Sequence, residues 1–152
     1  CGEHSSTWTI TQRRAVTLPT ADDCTRDGYV LLGWTRDPAN TAPENLLHNT
    51  MSRSGTVTAV WGKLPVQPTT FVVLPDFFCD RCGTALVIWQ TPDTDVTGFE
   101  LTIDGTPTDC TPTLISEWWT CGLTGITSGQ PHVYSMVARN AYGPSPAAVV
   151  RA

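Results

Sequence analysis

Along the chain, apolar and polar residues alternate in short runs that end at Gly, Pro, Asn or Asp. This pattern predicts strands and turns. Residues 7–18 alternate well enough for one or two strands, and a polar loop follows from Pro19 to Asp27. Tyr29–Trp34 reads as an apolar strand stopped by Asp37 and Pro38. Thr41–His48 carries a short helix signal. Thr41 can cap, Pro43 suits a first turn, and Glu44 complements the positive end of a helix dipole. Thr56–Trp61 is a further strand. Beyond it, Gly62–Pro68 holds two prolines, and then the pattern restarts. Strands are expected at Phe71–Leu74, Thr84–Gln90, Gly98–Ile103, Thr113–Trp119, His132–Arg139 and Ala147–Val150. Asp104-Gly105 and Ser128-Gly129 supply turns between them. Short strands at even spacing predict a β-sandwich.

Composition narrows the class. Only 15% of the 152 residues are charged, and Gly and Pro number 12 each. Thr suits strands while Gly and Pro break helices, so a coiled coil or helical bundle is excluded. No apolar run approaches ~18 residues, so no membrane span is expected. A net charge of -5 and a pI near 4.9 argue against nucleic acid, which needs a basic face. Six Trp, four Phe and three Tyr argue against disorder. Length alone predicts one domain of ~150 residues. The prolines and the restarted pattern instead divide the chain into residues 1–61, a stiff joint at 62–67, and residues 68–152.

The cysteines are Cys1, Cys24, Cys79, Cys82, Cys110 and Cys121. An even count in a short β-rich chain points to disulfides and an oxidising, extracellular compartment. Fifteen pairings are possible. Nearest neighbours give Cys1 with Cys24, Cys79 with Cys82, and Cys110 with Cys121. The rival is zinc held by Cys79, Cys82, Cys110 and Cys121, although ten residues separate the last two where a zinc ribbon repeats C-x-x-C. The chain starts at Cys1 without Met, as a processed form or fragment does. Cys1 then has two readings, a lipid-modified terminus or a disulfide partner, and the disulfide leaves no odd cysteine.

Little in the sequence points to catalysis, and no cofactor is expected. His4, His48 and His132 have no carboxylate or Cys at ligand spacing; His48 complements a helix end and His4 reads as solvated surface. Asp22, Asp23 and Asp27, and also Asp93 with Asp95, read as turn carboxylates rather than a calcium cage. No nucleophile elbow or phosphate loop is present. Lys63 is the one lysine and is expected in the joint, which argues strongly against a Lys–Asn isopeptide crosslink within either core. Trp118 and Trp119 stand out. Neighbours on a strand point to opposite faces, so one is expected outside. It either anchors a protein interface, stacks on sugar, or covers the sandwich edge and a Cys110–Cys121 bridge.

Each half resembles a known module. Pro68, Trp89, the run Val96–Leu101 with Phe99, the corner Leu123–Gly129, the alternating Tyr134, Met136 and Ala138, and the closing run Asn140–Pro146 together resemble a fibronectin type III domain over about residues 65–152. The family's corner Tyr is replaced by His132, expected to be neutral and packed, with a pH-sensitive corner as the functional alternative. Residues 15–61 resemble the Listeria–Bacteroides repeat, related to the internalin B repeat. The resemblance rests on Ala15–Pro19, on Arg26–Trp34 with its Gly-Tyr-x-x-x-Gly-Trp spacing, and on Val57–Trp61. It implies a small β-grasp-like sheet with one short helix, in which a kink at Gly33 turns Trp34 inward. Cys24 and the leading segment Cys1–Ile10 depart from that family.

The expected protein is mainly β and extracellular, secreted or attached to a bacterial cell surface. Its role is structural or adhesive, as a stalk, matrix or fibre subunit, through protein–protein contacts that include self-association. The alternative is a carbohydrate-binding accessory region that uses an exposed Trp. A third reading, a redox or zinc protein built on Cys79 and Cys82, lacks the βαβ setting that such a motif needs.

Overall fold

A computed structural model describes residues 7–10, 16–44, 50–51 and 55–152. Among them all regular structure is β-strand, in antiparallel ladders. The mainly β class follows, as the Thr-rich alternation requires. The chain divides into two compact units, Cys1–Leu64 and Pro65–Ala152. His4, His48, Cys1 and most of the segment expected as a helix lie outside the described residues.

The first unit holds β1 (Thr7–Ile10), β2 (Val16–Thr17), β3 (Tyr29–Thr35), β4 (Thr50–Met51) and β5 (Gly55–Lys63). β1, β5 and β3 form one sheet, and β2 pairs with β4. Leu31 pairs with Trp61 but Gly33 pairs with Val60, so Leu32 is an extra, bulged residue. The bulge reverses the alternation and puts Trp34 on the same face as Leu31. Trp34 is 3% exposed and its Nε1 donates to the Pro19 carbonyl at 3.0 Å. Leu18, Cys24, Val57 and Ala59 complete the core around it, with Leu31 and Trp61 against its edge. Residues 62 and 63 continue β5, and Leu64 N donates to Gly28 O at 2.9 Å, so the first unit's ladder includes the start of the stretch read as a joint. Residues 41–44 form no helix. Glu44, read as a helix-start carboxylate, instead accepts hydrogen bonds from the Thr35 hydroxyl at 2.8 Å and Arg36 N at 3.3 Å.

The second unit is an antiparallel β-sandwich. Its strands are β6 (Thr69–Pro75), β7 (Ala85–Gln90), β8 (Gly98–Ile103), β9 (Thr106–Pro107), β10 (Thr113–Ile115), β11 (Trp118–Leu123), β12 (Val133–Asn140), β13 (Gly143–Pro144) and β14 (Ala148–Arg151). One sheet runs β10-β11-β7-β6. The other runs β13-β12-β8-β9, with β14 also paired to β12. Inward positions of both sheets meet in a core built on Val73, Val87, Trp89, Leu101, Tyr134 and Met136. Trp89 has no exposed surface and meets Phe99 edge-on at 5.1 Å.

The single strand expected over Thr113–Trp119 is two. β10 and β11 form a hairpin that turns at Ser116 and Glu117, with Ser116 at φ 57°. No Gly, Asn or Pro marks this turn; its only signal is the polar pair Ser116-Glu117 between two apolar pairs.

Candidate functional site

The two sheets of the second unit differ on their outer faces. The β8–β12–β14 sheet carries charge there. Arg139 donates from Nε and Nη2 to both carboxylate oxygens of Glu100, at 2.6 and 3.0 Å, and Arg151 is exposed on β14 opposite Val133, at the other end of β12. The β10–β11–β7–β6 sheet has no Asp, Glu, Lys, Arg or His in any of its four strands.

Register shows what that uncharged sheet presents. Val73, Ala85, Val87, Trp89, Cys121 and Leu123 point inward and are buried. Alternate residues must therefore point outward. Across the strands, Val72 lies beside Ile88 and Ile88 beside Thr120; Leu74 lies beside Leu86 and Leu86 beside Gly122; Trp118 lies beside Ile115. Val72, Ile115 and Trp118 are 40%, 61% and 38% exposed. An antiparallel sandwich strand ordinarily alternates apolar-in with polar-out, whereas a strand apolar on both faces belongs to a sheet that is covered on both. β7, Ala-Leu-Val-Ile-Trp-Gln, is of the second kind.

The β6–β7 loop extends this surface. Phe77 and Phe78 are 56% and 60% exposed and meet edge-on at 5.3 Å. A Cβ at Gly122 would lie 3.7 Å from the Phe78 ring, so Phe78 covers the outer face where β11 has no side chain. The loop is tied down. Cys79 is bonded to Cys82, and the Asp76 carboxylate accepts from Gly83 N and from the Ser128 hydroxyl, both at 3.1 Å. Gly83 has φ 67°, and a Cβ there would run into the Ile126 carbonyl, so only glycine fits.

Cys110 is bonded to Cys121, joining the segment before β10 to the inward face of β11. With Cys79–Cys82, this leaves none of the four sulfurs free for zinc. Cys24 is also disulfide-bonded. Asp93 Oδ2 accepts from Val66 N at 2.5 Å and Asp95 Oδ2 from Asn140 Nδ2 at 3.0 Å. Among the described residues no three His, Cys, Asp or Glu converge as metal ligands, and no helix is long and apolar enough to cross a membrane.

The two tryptophans part company. Trp118 is outside. Trp119 is half-buried against Phe99, with ring centroids 5.0 Å apart, and its accessible edge lines a cleft of about 590 Å³ with Gln90, Thr91, Asp93, Ser116 and Glu117. The Thr91 hydroxyl is buried there without a protein partner.

His132 sits between two acceptors. Its Nδ1 faces Asp104 Oδ2 at 2.6 Å and its Nε2 faces the Thr127 carbonyl at 2.9 Å. Two acceptors demand two N–H donors, which only the imidazolium supplies. The bond to Asp104 and the Thr127 carbonyl raise the His132 pKa, and the same bond with Val133 N holds Asp104 below the usual carboxylate range. With both ring nitrogens protonated, the corner is a clamp between Asp104 and the Thr127 carbonyl.

Sequence reasoning singled out Trp118 and missed the rest of this face, namely Val72, Phe78, Leu86, Ile88 and Ile115. The available signals were the unbroken apolar run in β7 and an aromatic pair placed just before a C-x-x-C.

No family model and no curated protein matches the chain. Among solved structures, the chain is similar to one described as "Structure of FN3tt mut", with a TM-score of 0.45 and 19% identity over 59% of this chain and 96% of that one. It is similar to "Crystal Structure of FN3tt" with a TM-score of 0.45 and 18% identity over 60% of this chain and 95% of that one.

Proposed function

We propose that this is a non-catalytic extracellular protein of a bacterial surface, with a structural or adhesive role exerted through protein–protein contacts. One observation carries the reading: the second unit presents an uncharged, apolar outer sheet face with Trp118 and Ile115 at its exposed end. Exposed apolar patches of this kind mark interaction sites, and Trp is a favoured anchor residue. The disulfides Cys79–Cys82 and Cys110–Cys121 fit an oxidising compartment. In the same reading the first unit is a Listeria–Bacteroides repeat-like module, with Trp34 turned inward by the Gly33 bulge. The test is surface retention. Ile115→Lys combined with Trp118→Lys, in the full chain returned to its source cells, should lower the cell-bound fraction at least ~10-fold, as loss of an anchor does. Retention equal to the wild type removes the reading.

The cleft beside Trp119 favours a second reading, carbohydrate binding. An aromatic edge, a hydroxyl without a protein partner and the Glu117 carboxylate suit a neutral polyol. Calorimetric titration with soluble oligosaccharides should then give heat that Glu117→Ala and Thr91→Val abolish. The absence of heat at high sugar concentration ends it.

A further inference from the structure

We infer that the outer face of the β10–β11–β7–β6 sheet is the contact surface of a closed dimer, and that its occupant is the same face of a second copy of this chain. The inference deepens the proposed function and rests on its identification of this face as a contact site.

Charge favours a second copy at this face. The chain carries -5, so two copies repel at most approaches. The four strands of this sheet carry no ionisable side chain, so copies that meet over them bury no unpaired charge, and the Glu117 carboxylate in the exposed β10–β11 turn stays at the rim. The other sheet, with the Glu100–Arg139 pair and Arg151, offers no such approach. A strongly charged partner would be a poor match for a surface with nothing to pair it.

The relief of the face favours it too. The register sets a large pair, Ile115 beside Trp118, next to a small pair, Thr113 beside Thr120. A two-fold axis through the face places the large pair of one copy over the small pair of the other, twice. This is the self-complementarity an isologous interface requires, and it closes after two subunits. Two such faces pack as sandwich sheets do, about 10 Å apart and about 30° from aligned. Phe78, over Gly122, flanks the contact.

Sedimentation velocity of the full chain from micromolar to millimolar concentration tests it. The wild type should move from a 16.5 kDa species to twice that mass. Ile115→Lys and, separately, Thr120→Arg should weaken the dimer at least ~100-fold, as disruption of an anchor or its receiving surface does. Val149→Lys, at a 60% exposed site on the other sheet, should dimerise as the wild type does. Near-ultraviolet circular dichroism establishes that each variant is folded, and two variants on different strands guard against one failing. A wild type that stays monomeric at millimolar concentration overturns the inference, as does a dimer indifferent to both face variants. A monomer that is still retained on cells through Trp118 and Ile115 overturns the second copy while leaving the adhesive reading intact. A monomer whose retention ignores those residues overturns both.

Discussion

Ile115 and Trp118 face each other across the β10–β11 hairpin, separated in sequence only by the turn residues Ser116 and Glu117, and both side chains project from the outer face. Neither belongs to the sandwich core. Trp118→Ala should therefore cost about 1 kcal/mol or less, in the range of surface substitutions. Trp89→Ala, at a position with no exposed surface, should cost about 3–5 kcal/mol. Denaturant unfolding of the two variants checks this. Equal losses would mean that Trp118 serves the fold rather than a partner.

Gly33 predicts a second outcome. Its φ is 148°, and an added Cβ would stand 2.6 Å from the Cβ of Pro43. Gly33→Ala combines unfavourable backbone with a clash and should destabilise the first unit by about 1–3 kcal/mol. The bulge that turns Trp34 inward is what gives way, so its fluorescence should shift to the red. An unchanged melting temperature and emission would show that Pro43 yields freely.

The disulfides differ in expected worth. In the chain-entropy account, the short Cys79–Cys82 loop contributes about 2 kcal/mol and the longer Cys110–Cys121 loop about 3 kcal/mol. Cys121 is also a core residue, 4% exposed. Replacing Cys110 and Cys121 by Ser should therefore lower stability more than replacing Cys79 and Cys82. The second exchange should instead loosen the loop that holds Phe77 and Phe78, seen as faster amide exchange over residues 76–83. The opposite ranking in denaturant unfolding would contradict this assignment.

How much of this was legible follows from which pairings are local. The inward alternation of Tyr134, Met136 and Ala138 was readable because it lies on one strand. The role of Gly33 was readable because Trp34 stood on the wrong parity for a core residue. The outer face was not readable. Val72, Ile88 and Thr120 become neighbours only through the register of three strands, and Ile115 meets Trp118 only because a turn forms at Ser116-Glu117 with no Gly, Pro or Asn to mark it. Trp118 and Trp119 were separable in principle but not assignable, since adjacency says that they part and not which one faces out. For His132, sequence gave the departure from Tyr but not the partners. Asp104 is a distant residue, and the Thr127 carbonyl belongs to the backbone.

The His132–Asp104 clamp gives a pH prediction. Folding raises the His132 pKa, so its contribution is complete below the ordinary imidazole value of 6.5 and is lost as pH rises through the raised value. Folding lowers the Asp104 pKa, so its contribution is complete above the ordinary carboxylate value of 3.8 and is lost as pH falls through the lowered value. The clamp is strongest between these limits. The melting temperature of the wild type should exceed that of His132→Gln most in this window, and the gap should narrow on both sides. A gap that widens above neutral pH would mean that the neutral ring is the form the corner prefers.

The central claim is that the uncharged outer sheet face is where this protein meets another protein. A photo-crosslinking residue placed at position 115 of the full chain, in its source cells, reads this directly, with position 149 on the opposite sheet as comparator. The account predicts discrete protein adducts outside the cytoplasm from position 115, including one at twice the chain mass, and none of these from position 149. Adducts absent from 115, or equal at the two positions, would contradict it.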